Sequence, residues 1–123
     1  MKVEDTGFGY VVIDGVRYEH DVVLCGEKVL RRPKELSRKY RGLYGHTPLS
    51  AEEMRELLNL CPEARIVVIG TGQYGALPVP EEAIREAEKR GKRVIMLRTP
   101  EVSSKLSELS GEGKILAVIH VTC

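Results

Sequence analysis

The chain has 123 residues, and its 19 basic and 18 acidic residues leave a formal net charge of +1. This length predicts a single domain over residues 1–123. Nucleic-acid-binding domains are clearly basic, so the nearly neutral charge excludes nucleic acid as the expected partner. No apolar run reaches the roughly 20 residues that span a bilayer, so a membrane is not an expected partner either.

Cysteine usage and charge content indicate the environment of the protein. Cys25, Cys61 and Cys123 are widely spaced and form no C-x-x-C pair. An odd number of cysteines, without an apolar secretory leader, predicts free thiols and a reducing, cytoplasmic location. A chain with 30% charged and 5% aromatic residues is also typical of a heat-adapted source.

The first elements in the chain are typical of a β-hairpin. Tyr10 to Ile13 is β-prone and ends at Asp14-Gly15, a pair that favours a tight turn because both central positions need positive φ. The return arm, Val16 to Leu24, alternates apolar and polar residues and predicts one strand with one solvent-exposed face. A short third strand is expected at Lys28 to Arg31.

The middle of the chain predicts a loop followed by a helix. Residues 33–47 have no clear period and are expected to be mostly loop. Ser50 is the predicted N-cap of the helix, with Glu53 completing a capping box. Pro62 ends this helix, and its predicted buried stripe consists of Met54, Leu57, Leu58 and Cys61.

The second half predicts a parallel sheet. Three apolar runs are typical of strands covered on both faces: Ile66 to Ile69, Val94 to Leu97 and Ile115 to Ile119. A helix between Pro80 and Gly91 joins the first two, which predicts a right-handed βαβ crossover with parallel strands. A last helix is expected to begin at Thr99-Pro100-Glu101. The elements together predict an α/β fold.

Gly70, Gly72 and Gly75 form a G-x-G-x-x-G motif directly after a predicted strand. In a dinucleotide-binding fold the following helix begins within these glycines. Here Pro78 and Pro80 would lie inside that helix, and each interior proline costs about 3 kcal/mol. We therefore expect a loop to continue to residue 79, which argues against a dinucleotide site.

The same loop is a candidate site for a small anion. Successive glycine N–H groups can form a nest for an anion, and ligands of open α/β sheets bind beyond the carboxyl ends of the strands. Parallel neighbouring strands would place Arg98 and Thr99 beside this loop. His46 is a polar loop residue, for which a turn or capping role is the alternative. The predicted ligand-binding residues are Gly70, Thr71, Gly72, Gln73, Arg98, Thr99 and His46.

The remaining histidines and cysteines do not predict a catalytic or metal site. His120 and Cys123 would face opposite sides of a continuing strand, and two ligands are fewer than the three or four that zinc needs. A packed strand end with a free thiol is the expected structure. His20 lies on the apolar face of its predicted strand and is expected to be a core or interface histidine. We predict no catalytic residue, metal or cofactor.

Several short motifs together resemble a known family. They are Phe8-Gly9 and the Asp-Gly turn, Gly45-His46-Thr47-Pro48-Leu49, Val68-Ile69-Gly70-Thr71-Gly72, Thr99, and His120-Val121-Thr122-Cys123. The chain resembles the uncharacterised small-domain family that includes the adipogenesis-associated domain protein and the third assembly factor of mitochondrial complex I. By motif, the resemblance carries over Gly70, Thr71, Gly72, Thr99, His46 and His120.

The resemblance implies a three-layer fold. A central mixed sheet with the parallel βαβ pair and one antiparallel strand would carry the N-terminal hairpin layer and a helix on one side, and helices on the other. It implies no established enzyme activity, because family proteins are best known as structural units or assembly helpers.

Two functions remain open after this reasoning. The first is a non-catalytic binding or assembly module with an exposed apolar patch, for which the hairpin edge near Tyr10, Tyr18 and Tyr40 is a candidate. Its expected partner is a second copy or another protein. The second is a small-molecule enzyme or sensor that binds an anion or a nucleotide-like ligand at the loop from Gly70 to Gly75.

Overall fold

The computed structural model describes residues 2–123 and contains two β-sheets. The strands are β1 (Val3–Gly7), β2 (Tyr10–Ile13), β3 (Val16–Tyr18), β4 (Val22–Cys25), β5 (Lys28–Arg31), β6 (Ile66–Thr71), β7 (Arg93–Leu97) and β8 (Ile115–His120). The small sheet has the order β1-β2-β3, and the central sheet has the order β5-β4-β8-β6-β7. Strand β6 is parallel to β7 and β8, whereas β4 is antiparallel to β5 and β8. One strand of the central sheet, β4, therefore runs against the other four.

Helices and the small sheet cover the two faces of the central sheet. The helices are α1 (Arg41–Tyr44), α2 (Ala51–Leu60), α3 (Glu81–Glu88) and α4 (Val102–Glu108), with 3-10 turns at Lys34–Leu36, Arg38–Tyr40 and Thr99–Glu101. One core cluster joins α2 and α3 to one face, and a second joins the small sheet and α4 to the opposite face. The α/β three-layer prediction is confirmed. Within residues 2–123, no helix is long and apolar enough to cross a membrane.

The hairpin turn is confirmed, but its return arm is not a single strand. Asp14 and Gly15 have φ values of 49° and 82°, and Ile13 pairs with Val16 across the turn. Strand β3 ends at Tyr18, and the chain then enters the other sheet as β4, whose four residues are all buried. The prediction of a solvent-exposed face is therefore wrong for β4. The break lies at residues 19–21, which include a buried aspartate, Asp21, described below.

The second half follows the predicted order, with one difference in burial. The βαβ neighbours β6 and β7 are parallel, as predicted, and β6 is buried over its first five residues. Strand β7 lies at the sheet edge, and its Met96 is 47% exposed, so the prediction of two covered faces is wrong there. Helix α3 begins at Glu81, after a loop over residues 72–80. No helix therefore begins inside the glycine motif.

A disulfide joins the end of β4 to the end of α2. Cys25 and Cys61 are bonded, with their Cα atoms 5.9 Å apart, and both are buried. The prediction of free thiols is wrong for this pair, although Cys123 is free. The sequence could not identify the pair, because 36 positions separate cysteines that only the packing of α2 on the sheet brings together. Cysteine usage therefore no longer supports the predicted reducing, cytoplasmic location, because two of the three cysteines are bonded.

We expect reduction of this disulfide to lower the free energy of unfolding by about 3–4 kcal/mol, because the bond closes a chain segment of intermediate length. Urea unfolding of the protein with and without a reductant measures this change. A thiol count on the unreduced, denatured protein should find Cys123 alone. Three reactive thiols, or equal stability in both conditions, would contradict the assignment.

Candidate functional site

The glycine loop after β6 is shaped by residues 121–123, which follow β8. Gly72 has a φ of 106°, and a Cβ atom there would lie 2.2 Å from the backbone carbon of Cys123. Only glycine accommodates both this conformation and this contact. Gly9 in the turn between β1 and β2 donates its N–H to Val121 O at 2.7 Å. The 121–123 segment is therefore held between the hairpin layer and the glycine loop.

The amides of the loop are fully used within the chain. Gln73 N–H donates to Thr122 O at 2.7 Å, and the N–H groups of Tyr74 and Ala76 donate to Cys123 O at 2.9 and 3.1 Å. Gly72 N–H donates to Thr99 Oγ1 at 2.9 Å. Gly75 N–H donates to Gly72 O at 3.3 Å, and Leu77 N–H donates to Thr71 O at 3.0 Å. Each N–H from residue 72 to residue 77 has a backbone or hydroxyl acceptor. The anion nest expected here is therefore corrected: oxygens of the chain itself occupy these donors.

Most of the predicted ligand-binding residues do lie together. The hydroxyl of Thr99 accepts from Gly72 N–H and donates to His120 O at 2.6 Å, which ties the loop to the end of β8. A Cβ on Gly70 would approach that same hydroxyl to 3.0 Å. Arg98 passes beside Gly75, where a Cβ would lie 3.2 Å from its Cγ. These contacts arise because the carboxyl ends of β6 and β7 are adjacent.

The other three residues have different roles. Thr71 donates its hydroxyl to Leu97 O at 3.1 Å and so joins two strand ends. The buried Nε2 of Gln73 has no hydrogen-bond partner within residues 2–123. His46 is exposed before α2, and among the hydrogen bonds of residues 2–123 none joins it to the glycine loop. The structure therefore does not support His46 as part of this site.

A second polar centre is a buried ion network around Arg32. Its guanidinium donates to both carboxylate oxygens of Glu53, at 2.6 and 3.0 Å, and to Asp21 Oδ2 at 2.8 Å. It also donates to Pro48 O at 2.8 Å. The side chains of Arg32 and Glu53 are completely buried. Ser37 donates its hydroxyl to Glu53 and accepts from Ser50 N–H, so every part of the centre has a partner.

This network changes the helix cap that the sequence predicts. Ser50 Oγ accepts from Glu53 N–H at 3.2 Å, as a capping box requires. The Glu53 carboxylate does not return to Ser50, because it is bound to Arg32. Instead of the Glu53 carboxylate, the Ser37 hydroxyl oxygen accepts from Ser50 N–H, at 3.1 Å. The buried stripe of α2 is otherwise confirmed.

Asp21 connects the ion network to the end of β8. Its Oδ2 atom accepts from His120 Nδ1 at 2.8 Å, and its Oδ1 atom accepts from Val121 N–H at 2.9 Å. His120 with Nδ1 protonated has Nε2 as an acceptor, and the Thr122 hydroxyl lies 3.2 Å from it. The result is a carboxylate, an imidazole and a hydroxyl in line. Asp21 is shared with Arg32, which reduces its ability to stabilise a charged imidazole.

Charge pairing determines the ionisation of the network. Burial alone would raise the pKa of Asp21, but the hydrogen bond and charge of His120, the Val121 N–H and Arg32 outweigh it and hold that pKa well below its ordinary value. Burial likewise opposes the charge on Arg32, but Glu53 and Asp21 raise its pKa above the usual range. Both groups are therefore charged at neutral pH.

Sequence reasoning missed the ion network, although one signal was present. The alternating pattern of residues 16–24 places Asp21 on the polar side, and Arg32 lies in a short basic run over residues 31–34. Two adjacent arginines at a strand end, Arg31 and Arg32, must point to opposite faces, so one is directed toward the core. That alternation indicates a buried arginine but does not identify its acids.

The two bonded cysteines also lie near a carboxylate. Ligand atoms of Cys25, Cys61 and Glu63 all lie within 4.8 Å of one another. The sulfurs are bonded to each other, so neither is available as a thiolate ligand. Glu63 accepts from Lys114 Nζ at 3.0 Å. The disulfide state of this cluster therefore does not offer a metal site.

The exposed apolar surface differs from the one that the sequence suggested. The rings of Phe8 and Tyr74 are 6.1 Å apart, and these side chains are 58% and 74% exposed. An open groove of about 480 Å³ continues from Tyr74; its lining includes Leu77, Val79, Met96 and Arg98. We call Phe8, Tyr74 and this groove the aromatic surface. The three tyrosines expected at the hairpin edge, Tyr10, Tyr18 and Tyr40, are instead partly buried.

Replacing Asp21 by Asn should lower the free energy of unfolding at pH 7 by about 2–3 kcal/mol, because Arg32 and His120 lose a charged acceptor. A carboxyl with a lowered folded-state pKa stabilises the fold above its ordinary value of 3.8. That contribution is lost as the pH falls below this value. The difference between wild type and Asp21→Asn should therefore shrink in acid.

Urea unfolding at several pH values measures this difference. Glu19→Gln is the matched control, because Glu19 is an exposed neighbour that pairs with Arg17. It should change stability little at any pH. A difference between wild type and Asp21→Asn that is independent of pH would contradict the assigned ionisation.

Thr99→Val should cost about 1–3 kcal/mol of stability, because it leaves Gly72 N–H and His120 O buried without their partner. Thr99→Ser keeps the hydroxyl and should cost clearly less. Thermal unfolding of the two variants compares them directly. A valine variant as stable as the serine variant would show that the bridge is not needed.

Comparisons with known proteins agree with this architecture. A family model described as "Protein of unknown function (DUF498/DUF598)" matches residues 3–120. The conserved hypothetical protein PH1505 from Pyrococcus horikoshii OT3, a thermophile relative, has 38% identity and a TM-score of 0.85, with 100% of each chain covered. The solved structure titled MT938 has 32% identity and a TM-score of 0.75, covering 99% of this chain and 98% of its own.

More distant structures share the fold alone. A Bordetella pertussis protein, described as a Mth938-like domain, has 20% identity and a TM-score of 0.63, over 98% of this chain and 85% of its own. No match was found among the curated proteins. The match over nearly the whole chain, together with two relatives above 30% identity, shows that the protein belongs to the DUF498/DUF598 family of proteins of unknown function.

Proposed function

We propose that the protein is a non-catalytic binding module that contacts another protein through the aromatic surface. The observation that carries this proposal is the presentation of Tyr74. Its side chain is 74% exposed, while its own N–H and that of Ala76 are bonded to Cys123 O. A large aromatic side chain is thus exposed to solvent, while hydrogen bonds to Cys123 O hold its backbone in place.

The physical chemistry of interfaces favours this surface. Tyrosine is enriched at interface hot spots, and an aromatic ring on a rigid loop loses little conformational entropy when it is buried. Phe8 extends the apolar area on the hairpin side, and Met96 extends it on the edge strand β7. The surface therefore combines contributions from three separate segments of the chain.

The partner class follows from the family resemblance. The family resembled by the motifs contains assembly helpers, and a second copy of the chain or a protein under assembly would each cover such a surface. A catalytic role has less support. The Asp21 carboxylate is shared with Arg32, and the amides of the glycine loop are not free to stabilise an oxyanion.

A second candidate function is a small-anion enzyme or sensor site at the groove, carried by Arg98. Its guanidinium is exposed, and its ion pair with Glu101 is long at 3.7 Å. The unpartnered Nε2 of Gln73 is a further donor in the same loop. In this proposal Arg98 replaces the loop amides as the anion-binding group. Loss of anion binding in Arg98→Gln would support it.

A photo-crosslinking residue placed at position 74 tests the main proposal in living host cells. We expect one reproducible adduct, identified by mass spectrometry as the chain itself or as one partner protein, and its loss on Phe8→Ser. The matched control carries the crosslinker at position 16, because Val16 is 51% exposed and lies at the other end of β2 from Phe8. No adduct from position 74, or the same adducts from both positions, would contradict the proposal.

A further inference from the structure

A separate polar cavity of about 260 Å³ lies beside the segment that leads from β5 to α1. Its lining includes Arg31 at the end of β5, and Lys34 and Arg38 on the two 3-10 turns that follow. His20 and Thr122 lie on its other sides. The proposed function does not use any of these residues.

Two of the acidic residues that line this cavity, one buried and one exposed, already have ionic partners. Asp21 receives hydrogen bonds from Arg32, His120 and the N–H of Val121. Glu19 is paired with Arg17 at 3.1 Å. These carboxylates therefore do not compete for the basic groups at the cavity mouth.

The basic groups at the mouth have no such partners. Within residues 2–123, no ion pair involves Arg31, Lys34 or Arg38, and the cavity contains one further unpaired carboxylate, Glu35. Unpaired cations thus outnumber unpaired acids around a concave surface. Such an arrangement concentrates positive potential and attracts anions.

The cavity also supplies oriented polar groups. His20 Nδ1 donates to Asp21 O at 2.9 Å, which leaves its second ring nitrogen as a hydrogen-bond acceptor. The Thr122 hydroxyl donates to His120 Nε2 at 3.2 Å, so it too can only accept from a ligand. Arginine and lysine beside fixed polar groups are the usual donors to phosphate and carboxylate oxygens.

We propose that this cavity binds a small molecule through a phosphate or carboxylate group. Arg31, Lys34 and Arg38 supply both the charge and the hydrogen-bond donors for the anionic group. The volume is below the roughly 300–1,000 Å³ of pockets for drug-sized ligands, which favours a compact metabolite over a nucleotide. The ion network forms the rigid floor, because Arg32 and Asp21 line the cavity but are bonded inward.

Titration of the ¹⁵N-labelled protein with inorganic phosphate, and separately with succinate, tests this site. We expect chemical-shift changes at residues 20–21, 31–38 and 121–122, and the probe with the lower Kd identifies the preferred anionic group. Lys34→Gln combined with Arg38→Gln should raise that Kd by about tenfold or more, because two charge-assisted contacts are lost. Both side chains are at the surface, and circular dichroism verifies that the variant is folded.

The matched control is Arg85→Gln combined with Arg90→Gln, which removes the same charge from exposed positions outside the cavity. An unchanged Kd in this control, with loss in the cavity variant, supports the proposal. Equal losses in both would indicate attraction by net charge alone and would overturn it. Chemical-shift changes confined to the groove near Arg98, or absence of binding to the wild type, would also overturn the proposal.

Discussion

The architecture depends on one guanidinium that is completely removed from water. Arg32, at the end of β5, binds Glu53 on α2 and Asp21 before β4, and Asp21 extends the same network to His120 and Val121 at the end of β8. A buried cation is tolerated only when its carboxylates are in place, because an unpaired buried charge is strongly destabilising. The network therefore fixes how three strands of the central sheet meet α2.

The 121–123 segment is the second organising feature. It accepts hydrogen bonds from Gly9 in the hairpin layer and from Gln73, Tyr74 and Ala76 in the glycine loop. The aromatic surface begins at Tyr74 on that loop, whereas the basic cavity is lined by Val121 and Thr122 of the segment itself. The two proposed sites thus share one rigid support while presenting different chemistry, one apolar and one cationic. This arrangement suits a module that binds a protein and a small anion at separate places.

Local chemistry explains which elements were predictable. The Asp14-Gly15 turn, the Ser50 cap and the buried strand β6 depend on residues that are neighbours in the chain, so their patterns are visible in the sequence. The candidate site was only partly predictable. Adjacent parallel strands brought Thr99 and Arg98 to the glycine loop as expected, but the loop amides are bonded to oxygens far along the chain, at Thr122 and Cys123, which no local pattern indicates.

The sequence by itself determined the α/β class, the order of the main elements and the loop that follows the glycine motif in place of a helix, because proline geometry and apolar periodicity act over a few residues. The family resemblance added the three layers and the antiparallel strand. Tertiary structure alone decided the Cys25–Cys61 bond, the acids that pair with Arg32 and the exposure of Tyr74. Each of these depends on contacts between distant segments, and such contacts form only when the layers pack together.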